Sequence, residues 1–154
     1  MLSVDQILDN MRATDHFDAL EELVDHLAVT GHLRGVETSA AMQAIRDREE
    51  QTSTGIGSGV AIPHAFIPGL ESMVTIFGRS RNGIDFEAID HAPVTLLFLL
   101  LVPENGFQQH LEALAEIARM LNNGETRARL TDAGDPDAIR RILEEHLDAQ
   151  TGSA

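Results

Sequence analysis

Residues 51–64 read Gln-Thr-Ser-Thr-Gly-Ile-Gly-Ser-Gly-Val-Ala-Ile-Pro-His. Glycines at alternate positions, Gly55, Gly57 and Gly59, lead into a short apolar run, Val60 to Ile62, which stops at Pro63 and presents one histidine, His64. Glycine lets backbone N–H groups come close to an anion. Proline ends a strand-like run and fixes the approach of the residue after it. The pattern therefore predicts an imidazole held beside a phosphate-sized nest of backbone donors. The chemistry open to it is nucleophilic: one unprotonated ring nitrogen attacks, while the other donates a hydrogen bond that fixes tautomer and orientation. A phosphoryl group in transfer spreads charge over three equatorial oxygens, so catalysis is mainly positioning and electrostatic stabilisation. The guanidinium of Arg48 suits that task, because it pairs with phosphate oxygens in a planar fork. The competing readings are structural: a loop histidine satisfied by backbone groups, and an arginine that completes a helix C-terminus.

These residues also carry a resemblance. Arg48-Glu49, then the Ser-Thr-Gly-rich stretch Ser53 to Gly59, then Ala61-Ile62-Pro63-His64 resemble, in this order, the active-site signature of EIIA proteins of the fructose/mannitol type. Those proteins are phosphocarriers of the phosphoenolpyruvate-dependent sugar phosphotransferase system. The resemblance extends from about Val4 to Leu147 and includes His110, which begins a helix after a very apolar strand. It implies that His64 accepts phosphate through Nε2, a choice of nitrogen that the residues alone leave open. It implies that Arg48 sits in the active site and that His110 lies near the phosphorylated histidine, in hydrogen-bonding reach of phosphate. Strand C-termini are where open α/β sheets usually place their sites; the alternative for His110 is a helix-surface histidine. Thr54 and Gly55 are candidates to offer phosphate a hydroxyl or a backbone N–H. Glu49 must act indirectly, by orienting Arg48 or another group, since a bare carboxylate repels phosphate.

The resemblance further implies HPr as phosphoryl donor, an EIIB cysteine as acceptor and a membrane EIIC component downstream, with fructose the first candidate sugar. No cofactor is expected, because a phosphohistidine donor requires neither ATP nor a metal. Two competing functions remain open here. One is a regulatory EIIA of the nitrogen-related branch, which keeps the phosphorylatable histidine but binds regulator proteins. The other is a related domain that binds an anion without covalent transfer. His16, His26, His32 and His146 have no functional spacing. His91, in Asp90-His91-Ala92-Pro93, departs from the family, which more often has a small residue such as glycine after the aspartate. A zinc site built from His64, His91 and His110 matches no known ligand spacing.

Composition narrows the classes. The 154 residues suffice for one domain with its own core. There is no cysteine, which excludes disulfides, thiol catalysis and cysteine metal sites. No stretch reaches the roughly 18 apolar residues of a membrane span; Val94 to Val102 is better read as a buried strand. The first residues lack a basic segment and an apolar signal core, so the expectation is a cytoplasmic protein that is not integral to the membrane. Asp and Glu total 25 against 11 basic residues, all of them arginine, for a net charge of −14. That charge argues against nucleic acid as a partner. Complete absence of lysine in an acidic chain is read as adaptation to a salt-rich cytoplasm, the alternative being an ordinary acidic bacterial protein. There self-repulsion is screened, the Debye length falling to about 3 Å at 1 M salt. Loss of structure on dialysis into low salt is the corresponding test.

The elements that position these residues follow from periodicity and caps. Phe17, Leu20, Leu23, Val24, Leu27 and Ala28 form one helical stripe, with Asp15 as N-cap and Gly31 at the C-terminal stop. A shorter helix is expected over Val4 to Asn10, and another over about Ser39 to Arg48 behind a Thr38 cap. Strands are expected at Val60 to Ile62, Met73 to Gly78 and Val94 to Val102, the last central and covered on both faces. Arg79 to Gly83 reads as a turn, with Ile84 to Phe86 a small edge element. A helix is expected from Phe107 to Asn122, burying Leu111, Leu114, Ala115, Ala118 and Leu121. Two more follow, near Glu125 to Asp132 and Pro136 to Leu147. The fold class is α/β: a single-domain sandwich like that of mannitol EIIA, with a mixed central sheet of about five strands and helices on both faces. Residues 1–148 form the domain and 149–154 a disordered tail.

Overall fold

The computed structural model describes residues 2–51, 55–88 and 90–147; the expected tail at 149–154 lies outside them. In chain order the elements are β1 (Ile7–Leu8), α1 (His16–Val29), α2 (Thr38–Gln51), β2 (Gly55–Gly57), β3 (Val60–Ala61), β4 (His64–Ile67), β5 (Val74–Ile84), β6 (Val94–Pro103), α3 (Phe107–Leu121), α4 (Gly124–Asp132) and α5 (Pro136–His146). The strands build one mixed, six-stranded sheet in the order β1-β5-β6-β3-β2, with β4 also on β6. β6 is the hub: β5 pairs with it antiparallel, β3 and β4 parallel.

The near-continuous apolar run of β6 is explained by helices on both faces. Leu97, Leu99 and Leu101 pack with the α1 and α2 residues Leu20, Leu23, Leu27 and Ile45. Leu96, Phe98, Leu100 and Val102 face Ile117, Leu130, Ile139 and Leu143 of α3, α4 and α5. Such alternation is the period of a strand buried on both sides. Helix ends follow their local chemistry. Asp15 caps α1 by accepting from Asp18 N–H at 3.0 Å, and Gly31, at φ +86°, terminates it. Asn123 and Asp135 cap α4 and α5 in the same way, each accepting a backbone N–H.

Four local expectations are corrected. Val4 to Asn10 is not a helix: a single 3-10 turn at Val4–Gln6 gives way to β1, which pairs parallel with Phe77 and Gly78. Gln6 secures it by donating Nε2–H to Thr75 O at 2.9 Å, a partner 69 positions away that outweighs local propensity. Thr38 is the first residue of α2 rather than its cap, and Glu37 O accepts the first bond, from Ala41 N–H. Arg79 to Gly83 does not turn the chain; β5 runs through it with a register shift between Arg79 and Ile84, so the turn-forming residues appear as an irregularity inside one strand. The buried stripe of α3 is Ala113, Ile117, Met120 and Leu121, while Leu111 is exposed. The rotation carries His110 to the inside, three residues before Ala113.

Arg79 explains why β5 continues. It is 2 % exposed; Nε donates to Asp9 O at 3.1 Å, and Nη1 to Leu130 O at 2.9 Å and Ala133 O at 2.6 Å. One guanidinium thus satisfies carbonyls at the C-terminal end of α4 and ties that end to the sheet. Among the described residues, no helix is long and apolar enough to cross a membrane.

Candidate functional site

β3 and β4 lie end to end along β6, Val60 opposite Leu96 and His64 opposite Leu100. Pro63 interrupts them, although its carbonyl still accepts from Leu100 N–H at 2.9 Å. Proline lacks the donor that this side of the strand would otherwise turn to β6, so the pairing lapses at this point and resumes at His64. His64 restarts the strand with its ring folded back over the interruption. Its Nδ1 lies 2.8 Å from Ile62 O. A carbonyl only accepts, so Nδ1 carries the proton and Nε2 keeps its lone pair.

That lone pair faces a cation. Arg48, in the last turn of α2, brings Nη2 to 3.4 Å from His64 Nε2. Next to Arg48, Glu49 is 4 % exposed, and its Oε1 is 3.9 Å from Nδ1 of His16. The His16 ring meets Phe17 and Phe86 edge-on. On the other side, α3 begins directly after the strand that pairs with β4, and its first turn delivers His110. The His64 and His110 rings meet edge to face, with centroids 4.9 Å apart at 79°. Phe66, on the same face of β4 as His64, stacks on His110 with centroids 5.2 Å apart at 13°. His110 is buried, and its Nδ1 has no hydrogen-bond partner among the described residues.

Burial holds the His64 imidazole below the ordinary histidine range; the Ile62 hydrogen bond opposes this, and the charges of Arg48 and His110 add to it. Burial also lowers His110. Both rings are therefore biased toward the neutral form, in which a nitrogen lone pair is available.

The structure brings His64, Arg48 and His110 together, while Glu49 is buried on α2 and reaches toward His16 of α1. Thr54 lies outside the described residues. Gly55 is buried where β2 opens, so close to Ala88 that an added Cβ would come within 2.9 Å of the Ala88 Cβ. The other two glycines serve a hairpin rather than an open nest: Gly57, Ser58 and Gly59 all have positive φ, at 91°, 58° and 77°, and they link β2 to β3. The Ser58 N–H is already taken by Asp90 Oδ2 at 3.0 Å. Asp90 also accepts from Ala92 N–H at 3.0 Å, which leaves His91 at the left-handed φ of +58°. Glycine would take that conformation without the strain that a Cβ brings.

Sequence reading missed the Phe66–His110 stack and the Ile62 acceptor. The signal for the first was available: Phe66 is two residues from His64, and a strand puts such residues on one face. Among the described residues, no three His, Asp or Glu side chains gather as a metal site requires.

The family model for the phosphoenolpyruvate-dependent sugar phosphotransferase system, EIIA 2, matches residues 1–146. A nitrogen regulatory protein of Bradyrhizobium diazoefficiens is 37% identical over 143 residues, 93% of this chain and 92% of the relative. A fructose-specific EIIA component of Haloferax volcanii is 35% identical, over 82% of this chain and 81% of the relative. The fructose-specific EIIABC component of Bacillus subtilis is 36% identical over 89% of this chain, which spans only 21% of that protein. Among solved structures, the nitrogen regulatory protein IIA-Ntr of Neisseria meningitidis superposes with a TM-score of 0.84 at 32% identity, over 92% of this chain and 95% of that one. The Escherichia coli mannitol EIIA, solved in complex with phosphorylated EIIB, shares the fold, with a TM-score of 0.79 at 20% identity over 94% of this chain and 98% of that one.

Proposed function

This chain belongs to the EIIA type 2 family of the phosphoenolpyruvate-dependent sugar phosphotransferase system, and from that premise we propose that it carries a phosphoryl group on Nε2 of His64. The group comes from phosphohistidine on HPr and goes to a cysteine of an EIIB protein, for uptake and phosphorylation of a sugar through a membrane EIIC component. Fructose is the first candidate, supported by the fructose-specific relatives. A relay with these partners works in the cytoplasm.

The observation that carries this reading is the pair of contacts on the His64 ring. Nδ1–H is committed to Ile62 O at 2.8 Å, and Nε2 faces Arg48 at 3.4 Å. In the accepting step the Nε2 lone pair attacks phosphorus. The new N–P bond forms as the donor's N–P bond breaks, and the donor imidazole leaves with its electron pair. The three peripheral oxygens stay on phosphorus, and no proton leaves His64. Arg48 balances the charge on those oxygens, and His110 sits where its ring can donate to one of them. Thr54 and Gly55 are proposed to donate further hydrogen bonds to phosphate, from a hydroxyl or a backbone N–H. Glu49, buried on α2 beside His16, acts by orientation. In the passing step a cysteine thiolate attacks phosphorus and the electron pair returns to Nε2.

A regulatory role is the second reading. It is favoured by the nitrogen regulatory relative, matched over nearly its whole length, and by the Neisseria structure. Both readings require phosphate on His64 and differ in what the phosphorylated form meets.

The test is intact-mass spectrometry after incubation with phosphoenolpyruvate, Enzyme I and HPr. One acid-labile phosphate that is lost in His64→Ala is the expected result. Absence of phosphate on folded protein, with HPr shown to be active, would overturn the carrier reading. Onward transfer to an EIIB cysteine separates sugar relay from regulation.

A further inference from the structure

A functional histidine is ordinarily oriented by a hydrogen bond on the ring nitrogen it does not use. His64 follows that rule through Ile62. His110 does not, because its Nδ1 is buried and has no hydrogen-bond partner among the described residues. What lies against its ring is aromatic. Phe66 covers one face nearly parallel, at 13° and 5.2 Å, and His64 presents an edge at 79° and 4.9 Å.

The placement follows from the topology. β4 and β6 are parallel, with Phe66 opposite Val102. The chain leaves β6 at Pro103 and enters α3 at Phe107, so the first turn of that helix comes back beside the residue at position 66. His110 N–H donates to Gly106 O at 2.9 Å, which fixes its backbone within that turn and leaves the plane of the ring to be set by what packs against it. Phe66 is itself 41% exposed. A large aromatic kept half in water, on an edge strand and against a histidine, is not there to fill the core.

We propose that Phe66 is a positioning residue for phosphoryl transfer: its ring, in place of a hydrogen bond, holds the His110 imidazole in the plane from which it meets the phosphoryl group on His64. The inference rests on the phosphocarrier reading. An offset-stacked pair has a defined geometry that an aliphatic side chain of similar bulk does not reproduce. Loss of the ring leaves His110 with no directional contact except the His64 edge, and the ring then samples orientations that miss the phosphate.

The experiment is a double-mutant cycle read with a small donor, so that protein docking does not enter. Phosphoramidate is the probe: Nε2 of His64 takes its phosphoryl group, and ammonia leaves. The rate of His64 phosphorylation is followed by intact mass for wild type, Phe66→Leu, Phe66→Tyr, His110→Gln and the double variant Phe66→Leu/His110→Gln. Folding of each is checked by thermal unfolding. Phe66→Leu is expected to slow the step on the order of three- to tenfold, with Phe66→Tyr restoring it. In the His110→Gln background, Phe66→Leu is expected to cost nothing further, because the residue acts through His110. In parallel, the His110 ring protons are expected to lose their ring-current shift in Phe66→Leu and keep it in Phe66→Tyr.

The inference is overturned if Phe66→Leu phosphorylates like wild type, or if its deficit is equally large in the His110→Gln background. It is overturned as well if the His110 proton shifts do not change. A wild-type protein that takes no phosphate from either phosphoramidate or HPr overturns the carrier reading itself, a result distinct from any difference among the variants.

Discussion

The carbonyl of Ile62 accepts Nδ1–H of His64 at 2.8 Å, across Pro63, in the two-residue gap between β3 and β4. The proline is what makes the contact. By ending one strand and allowing the next to start, it exposes a carbonyl to the side chain two positions on. The bond sets the tautomer, and the tautomer turns the nucleophilic nitrogen toward Arg48. The fixed ring and the burial around it also make the site sensitive to pH.

His64 and His110 both have a pKa below the ordinary histidine value of 6.5. Below that value the unfolded chain binds protons that the folded chain resists. The stability contributed by the neutral rings is therefore complete above about pH 6.5 and declines as pH falls through the depressed folded values. Urea midpoints are expected to fall between about pH 7.5 and about pH 5.5, a window above the carboxylate range. The fall should be smaller in His64→Gln, and an identical profile in that variant would remove the histidine from the explanation. Phosphoryl uptake is expected to decline in the same direction, as Nε2 gains a proton.

Arg48→Ala is expected to slow phosphorylation of His64 by about 10²- to 10³-fold, as loss of one preorganised charge at a developing oxyanion does. Arg48→Lys should recover only part, because an ammonium lacks the planar fork. Single-turnover transfer from phosphorylated HPr measures both. Equal rates for wild type and Arg48→Ala would reduce Arg48 to a helix C-terminal charge.

Arg79 predicts stability rather than activity. Arg79→Met keeps most of the volume and removes the donors to Leu130, Ala133 and Asp9, leaving buried carbonyls without a partner. The expected loss is about 3 kcal/mol, read from chemical denaturation. Hydrogen exchange should report the largest change in α4, the helix whose C-terminal end the guanidinium holds.

His91 occupies a left-handed conformation, φ +58°, that costs a side chain with a Cβ and costs glycine nothing. His91→Gly is expected to stabilise the protein by about 0.5–1 kcal/mol, the relief of strain being offset in part by greater freedom of the unfolded chain. Tm should rise by about 1–4 °C, with phosphorylation of His64 unchanged. A lower Tm would mean that the His91 side chain makes a contribution larger than its strain.

Whatever depends on neighbours a few residues away can be read from the residues alone. The stripe of α1 with its Asp15 cap, the three C-terminal helices, the doubly buried β6 and the motif that carries Arg48 and His64 were all legible, whereas His110 was named through a resemblance and not through its neighbours. Periodicity, caps and a short motif are local properties, and the fold keeps them. The rest follows from contacts between positions distant in the chain. Ile7–Leu8 became a strand because Phe77 and Gly78 offered it a ladder. Arg79 to Gly83 stayed in β5 because the carbonyls that hold Arg79 belong to Asp9 and to residues 130–133. The rotation of α3 that exposes Leu111 and buries His110 came from packing against β6, since the helical period alone allowed more than one apolar stripe. The tautomer of His64 and the ring over His110 required coordinates for the same reason: a hydrogen-bond direction and a stacking plane are set by the space between elements, and a sequence lists the elements without that space.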